Sequence, residues 1–171
     1  RPYKIPYTTN DTQKCSHERQ NILLGYDFKT DMLVLELKLE NKKINTNEEH
    51  LQLWVIPALT TFAEVLALAA SKKLDIEYND LKSGFRIRRS EDCIYADVYL
   101  YDSLSSGAGY SSRVADLIDE VLNKAEEILI SCNCDSSCHN CLRHFWNQHI
   151  HKNLDRKAGL QLLRWVMYGI L

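Results

Sequence analysis

The sequence predicts an α+β fold: helices packed on a mostly antiparallel sheet, then a four-cysteine metal knuckle and a C-terminal helix. Three observations carry this. Apolar residues alternate with polar ones in several short runs, as in half-buried strands. Two longer stretches, 51–73 and 111–130, repeat their apolar residues at i, i+3 and i+4, as amphipathic helices do. Four cysteines, Cys132, Cys134, Cys138 and Cys141, fall within ten residues at the spacing C-x-C-x3-C-x2-C.

The elements follow in order. Residues 1–20 are polar and mixed, carry Pro2 and Pro6, and read as a linker or lead-in. Ile22, Leu24, Tyr26 and Phe28 share one face of a first strand, and Lys29-Thr30-Asp31 is a turn. Leu33, Leu35, Leu37 and Leu39 alternate with Val34, Glu36 and Lys38 in a second strand. After a polar loop, Asn41 to Asn47, the pair Thr46 and Glu49 has capping-box spacing. The first helix has Leu59, Phe62, Ala63, Leu66 and Ala70 as its stripe, and Pro57 either kinks it or marks a fresh start.

The second half repeats the order. Phe85 and Ile87 alternate with Arg86 and Arg88; after the turn Ser90-Glu91-Asp92, Ile94, Ala96, Val98 and Leu100 alternate with Tyr95, Asp97, Tyr99 and Tyr101. Ser105 to Gly109 breaks the pattern before the helix 111–130, and a last helix runs from about Asn153 to Tyr168. The layout is two ββα units, a knuckle and a helix, which layer as a sheet with packed helices. The expected division is a lead-in (1–20), an N-terminal ββα part (21–93) and a zinc-binding part (94–171), the last two in one compact domain.

Composition sets bounds. The 171 residues, 45% of them hydrophobic, suffice for one core. A net charge of −2 does not announce a nucleic-acid binder. No run approaches the roughly 18 apolar residues of a membrane helix, and no membrane partner is expected. No signal segment opens the chain, so a thiolate site places it in a reducing cytoplasm. A start at Arg1 rather than Met is expected of a piece of something longer.

Thiolates this close converge on one tetrahedral ion. Cys132 and Cys134 have too little chain between them for two freely formed disulfides. An all-sulfur set favours zinc, with an iron–sulfur cluster as competitor and four free thiols as the plain alternative. With all four positions filled by protein the site is structural, leaving no place for a catalytic water. His139, His144, His149 and His151 are close enough in sequence to replace a cysteine, but four thiolates make that unnecessary.

The surroundings of the knuckle carry a resemblance. Cys141-Leu142-Arg143 leads to Asn147-Gln148, His151 and Leu154-Asp155-Arg156, while upstream Tyr101-Asp102 runs into Ser106-Gly107-Ala108-Gly109-Tyr110 and a helix. This resembles the MrfA-like zinc-binding domain, found at the C-terminal end of superfamily 2 DNA helicases and of related phage-defence proteins. The Leu-Arg, Asn-Gln and Leu-Asp-Arg elements most resemble the DISARM component DrmB. The resemblance covers residues 94–165 well and 22–93 loosely. It implies zinc on Cys132, Cys134, Cys138 and Cys141, and DNA, a helicase motor domain or a partner subunit as partners. Ser106 stands where helicase members often have glycine, and Ser137-Cys138-His139 where they often have Gly-Cys-Pro.

Other residues have both a chemical and a plain reading. Gly107 and Gly109 at a strand-to-helix junction form either a phosphate loop or a tight turn, without the lysine of a Walker loop. Asp97 and Asp102 are either a magnesium-binding nuclease pair or, for Asp102, a turn or cap residue. Asn147, Gln148, His151, Asp155 and Arg156 support the ligands or cap the last helix, or else contact DNA or a partner. Arg143, Lys152 and Lys157, extended by Arg86 and Arg88, are candidates for nucleic-acid contact. Phe145 and Trp146 are expected as core around the metal site.

The chain has no P-loop, no DEAD/H-type motif and no nucleophile–base set. The expectation is a non-catalytic zinc-binding accessory domain, with the ATP-dependent DNA helicase being its parent or its partner. The alternatives are a metal-dependent nuclease using Asp97 and Asp102, and a protein–protein adaptor.

Overall fold

The computed structural model describes residues 25, 27–40, 48–89 and 93–169. The elements are β1 (Met32–Glu40), α1 (Glu48–His50), a π-turn (Leu51–Val55), α2 (Ile56–Leu74), β2 (Leu81–Arg89), β3 (Cys93–Asp102), α3 (Tyr110–Asp116), α4 (Ile118–Ile130), a 3-10 segment (Phe145–Asn153) and α5 (Arg156–Tyr168). Mixed α+β architecture, an antiparallel sheet, a four-cysteine cluster and a C-terminal helix are all present.

The three strands among the described residues lie in the order β1-β3-β2, all antiparallel. Period-2 alternation sets the register. Leu33, Leu35, Leu37 and Leu39 face Leu100, Val98, Ala96 and Ile94, so these paired positions of β1 and β3 give one face of the sheet an apolar patch. The expected strand 22–28 lies mostly outside the described residues; Gly25, Asp27 and Phe28 are described and none is in a strand. Thr46 of the expected capping box also lies outside them.

Helix α2 is the centre of the molecule. It packs on β2 and β3 on one side and on α4 and α5 on others. Residues 58 to 71 are buried apart from Glu64, which explains a helix that is apolar nearly all round. Gln52–Leu74 is long and apolar enough to cross a membrane, with a mean hydropathy of 1.8, but 72% of that window is buried inside the fold. The composition therefore belongs to a core helix. Pro57 marks a fresh start: it occupies the first turn of α2, where its missing N–H costs nothing.

The helix expected over 111–130 is two helices. Leu117 leaves helical geometry (φ −112°, ψ 20°), separating α3, which lies on β1 and β3, from α4, which lies on α2. Apolar spacing continues through the break, so periodicity does not reveal it. The expected boundary between residues 93 and 94 falls inside β3, and both sides contribute to one hydrophobic core.

Candidate metal centre

Helix α4 ends at Ile130 and delivers Cys132 directly. The chain then doubles back, with the carbonyl of Cys138 accepting from the amides of Cys141, Leu142 and Arg143 at 3.2, 3.1 and 2.9 Å. This tight turn brings the last cysteine over the third. Leu142, 1% exposed, anchors the exit in the core.

All four sulfurs lie within 4.8 Å of one another. Cys132 and Cys138 are 3.5 Å apart, and Cys141 is 3.7 Å from both Cys134 and Cys138. A tetrahedron around zinc with Zn–S bonds of about 2.3 Å has edges of about 3.8 Å. The separations are far beyond a disulfide of about 2.05 Å. They are also too small to admit an iron–sulfur cluster, whose own atoms would hold the thiolates further apart. The donor set therefore fits one zinc ion. Hydrogen bonding, first from the backbone of Cys134, brings the Cys132 thiol down to about 7, whereas burial pushes Cys141 up to about 12. The amide of Cys138 donates to Cys141 Sγ at 3.3 Å, a contact that favours the thiolate.

Residues 62–142, which include all four cysteines, match the family described as the MrfA Zn-binding domain. Over these residues the chain is similar to a MrfA-like zinc-binding domain. The match begins inside α2, in the part that the sequence resemblance covers only loosely, and stops before the 3-10 segment. The chain is 42% identical over 176 aligned residues to the Druantia protein DruE of Escherichia coli (strain UMEA 4076-1), covering 100% of the chain and 10% of that protein. It thus spans about a tenth of that relative's length. The crystal structure of the DUF1998 helicase MrfA bound to DNA superposes with a TM-score of 0.50 at 20% identity, covering 64% of this chain and 14% of that one. At that identity the likeness is one of fold.

Around the zinc-binding knuckle, Arg156 acts as a bolt. Its amide donates to the Ser136 carbonyl at 2.7 Å, its Nε to the Cys134 carbonyl at 2.7 Å, and its Nη1 to the Leu129 carbonyl at 3.3 Å. Asp155 caps α5 by accepting from the amides of Lys157 and Ala158, and its own amide donates to Thr61 Oγ1 on α2. Arg143 donates to Ser137 Oγ at 2.9 Å. Arg143 and Arg156 thus bind the knuckle itself.

A second polar set joins the 3-10 segment to α2. His144 Nδ1 accepts from the amide of Trp146 at 3.2 Å, so Nε2 carries the proton and donates to Glu64 Oε1 at 2.6 Å. Asn147 Nδ2 donates to the same oxygen and to the Leu142 carbonyl. Asn147 Oδ1 accepts from the His144 amide and from His151 Nε2. The Tyr78 ring lies tilted against the His144 ring, centroids 4.0 Å apart; burial first, then the charge of Glu64, raises its pKa, so its hydroxyl stays neutral. Gln148 is exposed and outside the network. His144 and His151 are engaged here, and the metal cluster consists of cysteines. Glu64, Tyr78 and Thr61 were missed by the sequence reading. A signal existed for Glu64, the sole ionisable side chain from Ile56 to Ser71.

Several candidates are corrected. Asp102 is fully buried, and its carboxylate accepts from the amides of Ala108, Tyr110 and Ser111 at 2.6, 3.0 and 2.8 Å. The loop amides are therefore spent on Asp102 and do not form a phosphate cradle. Gly107 and Gly109 sit at φ 75° and 78°, the left-handed geometry this turn requires. Asp97 lies on the opposite sheet face, where both its oxygens bind Arg88 at 2.8 and 2.7 Å. Asp97 and Asp102 do not converge, so the nuclease pair is not assembled. Arg88 also bonds Glu36, leaving Arg86 as the exposed arginine of that pair. Phe145 and Trp146 are not core: they are 72% and 56% exposed. Lys152 and Lys157 are exposed, and no described residue pairs with either.

Proposed function

We propose that this chain is a non-catalytic accessory domain of a larger helicase-associated defence protein, and that it contacts single-stranded DNA through the 3-10 segment Phe145–Asn153. One observation carries this reading. Two adjacent aromatic rings, edge-to-face at 5.1 Å, stand exposed immediately after the zinc knuckle. Exposed aromatic rings beside cations form stacking platforms for bases, whose binding tolerates sequence. The Lys82 ammonium lies 5.9 Å from the Trp146 ring, and Lys152 lies on the same segment.

Further support comes from relatives. MrfA has been solved bound to DNA, and the curated relative is a Druantia protein. The parent system we assign is thus Druantia-like rather than DISARM, with the ATP-driven motor elsewhere in the parent or in a partner, and a cytoplasmic location. The zinc knuckle would fix the angle between α4, the aromatic segment and α5, through the carbonyl contacts of Arg156.

The test is anisotropy of a labelled oligodeoxynucleotide with the zinc-loaded chain across a salt series. Binding should weaken as salt rises. Trp146→Ala should weaken it about tenfold at every salt concentration, and Lys152→Ala should flatten the salt slope by about one. Absence of binding at low salt would return the exposed aromatics to the adaptor reading.

A further inference from the structure

Beside Trp146 the molecule has a cavity of about 540 Å³, within the roughly 300–1,000 Å³ of small-ligand sites. It opens over the edge of β2 and lies between that strand, α2 and the 3-10 segment. Tyr78, Phe85, Tyr99 and Trp146 supply aromatic walls, and Lys82 and Glu64 also line it. Gly84 makes room at this edge, since a side chain there would meet the Tyr99 ring at 2.6 to 2.8 Å.

Glu64 is the informative member. Its side chain is only 12% exposed. Oε1 takes both hydrogen bonds, from His144 and Asn147, while no described residue donates to Oε2. That oxygen is not among the buried atoms without a partner, so it keeps access to solvent beside the cavity, and a ligand's donor can reach it. The walls call for a flat ring, and Lys82 sits over Trp146, where a phosphate would be screened.

We infer that this cavity takes one unstacked base of single-stranded DNA, with Glu64 Oε2 accepting from an exocyclic amino group and the backbone phosphate held outside near Lys82. The inference rests on the DNA-contact reading above and adds a site and a preference to it. Glu accepting from cytosine N4 is an established pairing; thymine presents a carbonyl oxygen at the same place and would face the carboxyl oxygen unfavourably. Cytosine and thymine stack similarly, so the difference between them isolates the Glu64 contact.

The experiment measures affinities of the zinc-loaded 171-residue chain for oligo(dC), oligo(dT) and an abasic strand, each about 12 nucleotides long. The expected order is oligo(dC) over oligo(dT) by several-fold, and oligo(dT) over the abasic strand. Glu64→Gln keeps an oxygen for His144 and Asn147 and puts an NH2 in place of Oε2, so the preference should reverse toward oligo(dT). Ala67→Met, which adds bulk at a lining position, should erase the distinction between dC and dT while salt-dependent binding remains. A 2-aminopurine placed within oligo(dT) and bound to the unaltered chain should be shielded from acrylamide, whether or not either variant folds. Equal affinity for all three strands, or a quenchable 2-aminopurine, overturns the pocket and leaves the DNA-contact reading standing. No binding of any strand overturns both. A dC preference unchanged in Glu64→Gln also overturns the pocket.

Discussion

Arg156 Nε donates to the backbone carbonyl of Cys134 at 2.7 Å, joining the start of the last helix to the second cysteine of the knuckle. With its bond to Leu129 at the end of α4, one side chain fixes both sides of the zinc site. Arg156→Lys, which loses the fork of donors, should weaken zinc affinity about 10- to 100-fold, as removal of outer partners does elsewhere. Chelator competition measures it. An unchanged affinity would reduce Arg156 to a packing residue.

Zinc binding should depend on pH in two regimes. Thiolates are the ligands, so each protonated thiol must release a proton when zinc binds. Above about 7 the buried Cys141, raised to about 12, still carries its proton, while Cys132 has lost its own. Below about 7 Cys132 is protonated too. Affinity should fall as pH falls, and more steeply by about one proton per zinc below that point. Indicator competition between pH 6 and 8 reads the slopes; a single constant slope would contradict the unequal thiols.

Asp102→Ala should destabilise the fold by roughly 3–5 kcal/mol, because three loop amides lose a charged acceptor in a buried setting. Burial alone would raise the Asp102 pKa, but the amides of Ser111, Ala108 and Tyr110 together outweigh it and hold it below 3.8. A depressed folded-state pKa gives stability that is present above the unfolded value and lost as pH falls through the folded one. Denaturant melts from pH 5 downward should show acid loss in the parent chain, and a smaller loss in Asp102→Asn.

Gly159→Ala should cost about 1–3 kcal/mol through overpacking. A Cβ there would meet Thr61 Cγ2 at 2.5 Å and Cβ at 2.9 Å, where α5 crosses α2. Thr61→Ser keeps the hydroxyl that accepts from the Asp155 amide and removes the methyl, so it should recover part of the loss. A thermal melt of the double variant no better than Gly159→Ala alone would place the strain elsewhere.

The sequence by itself determined the alternating strands, the apolar face they share and the convergence of four thiols, because these rest on chain-local geometry. A period of two assigns alternate residues of each strand to one face, and a C-x-C-x3-C-x2-C run needs only one tight turn to bring its four thiols together. Tertiary structure alone decided the rest. Glu64 meets His144 across 80 positions, and Thr61 meets Asp155 across 94, only because α2 lies between the sheet and the last helix. Arg143 reads as a nucleic-acid contact until the fold presents it with Ser137 Oγ, and which carbonyls Arg156 reaches is likewise set only by the fold. Phe145 and Trp146 read as core because aromatic character favours burial, but it does not say which side of a turn faces the protein. That choice is made when the Leu142 and Leu154 side chains fill the core on either side of the segment and leave the rings outside.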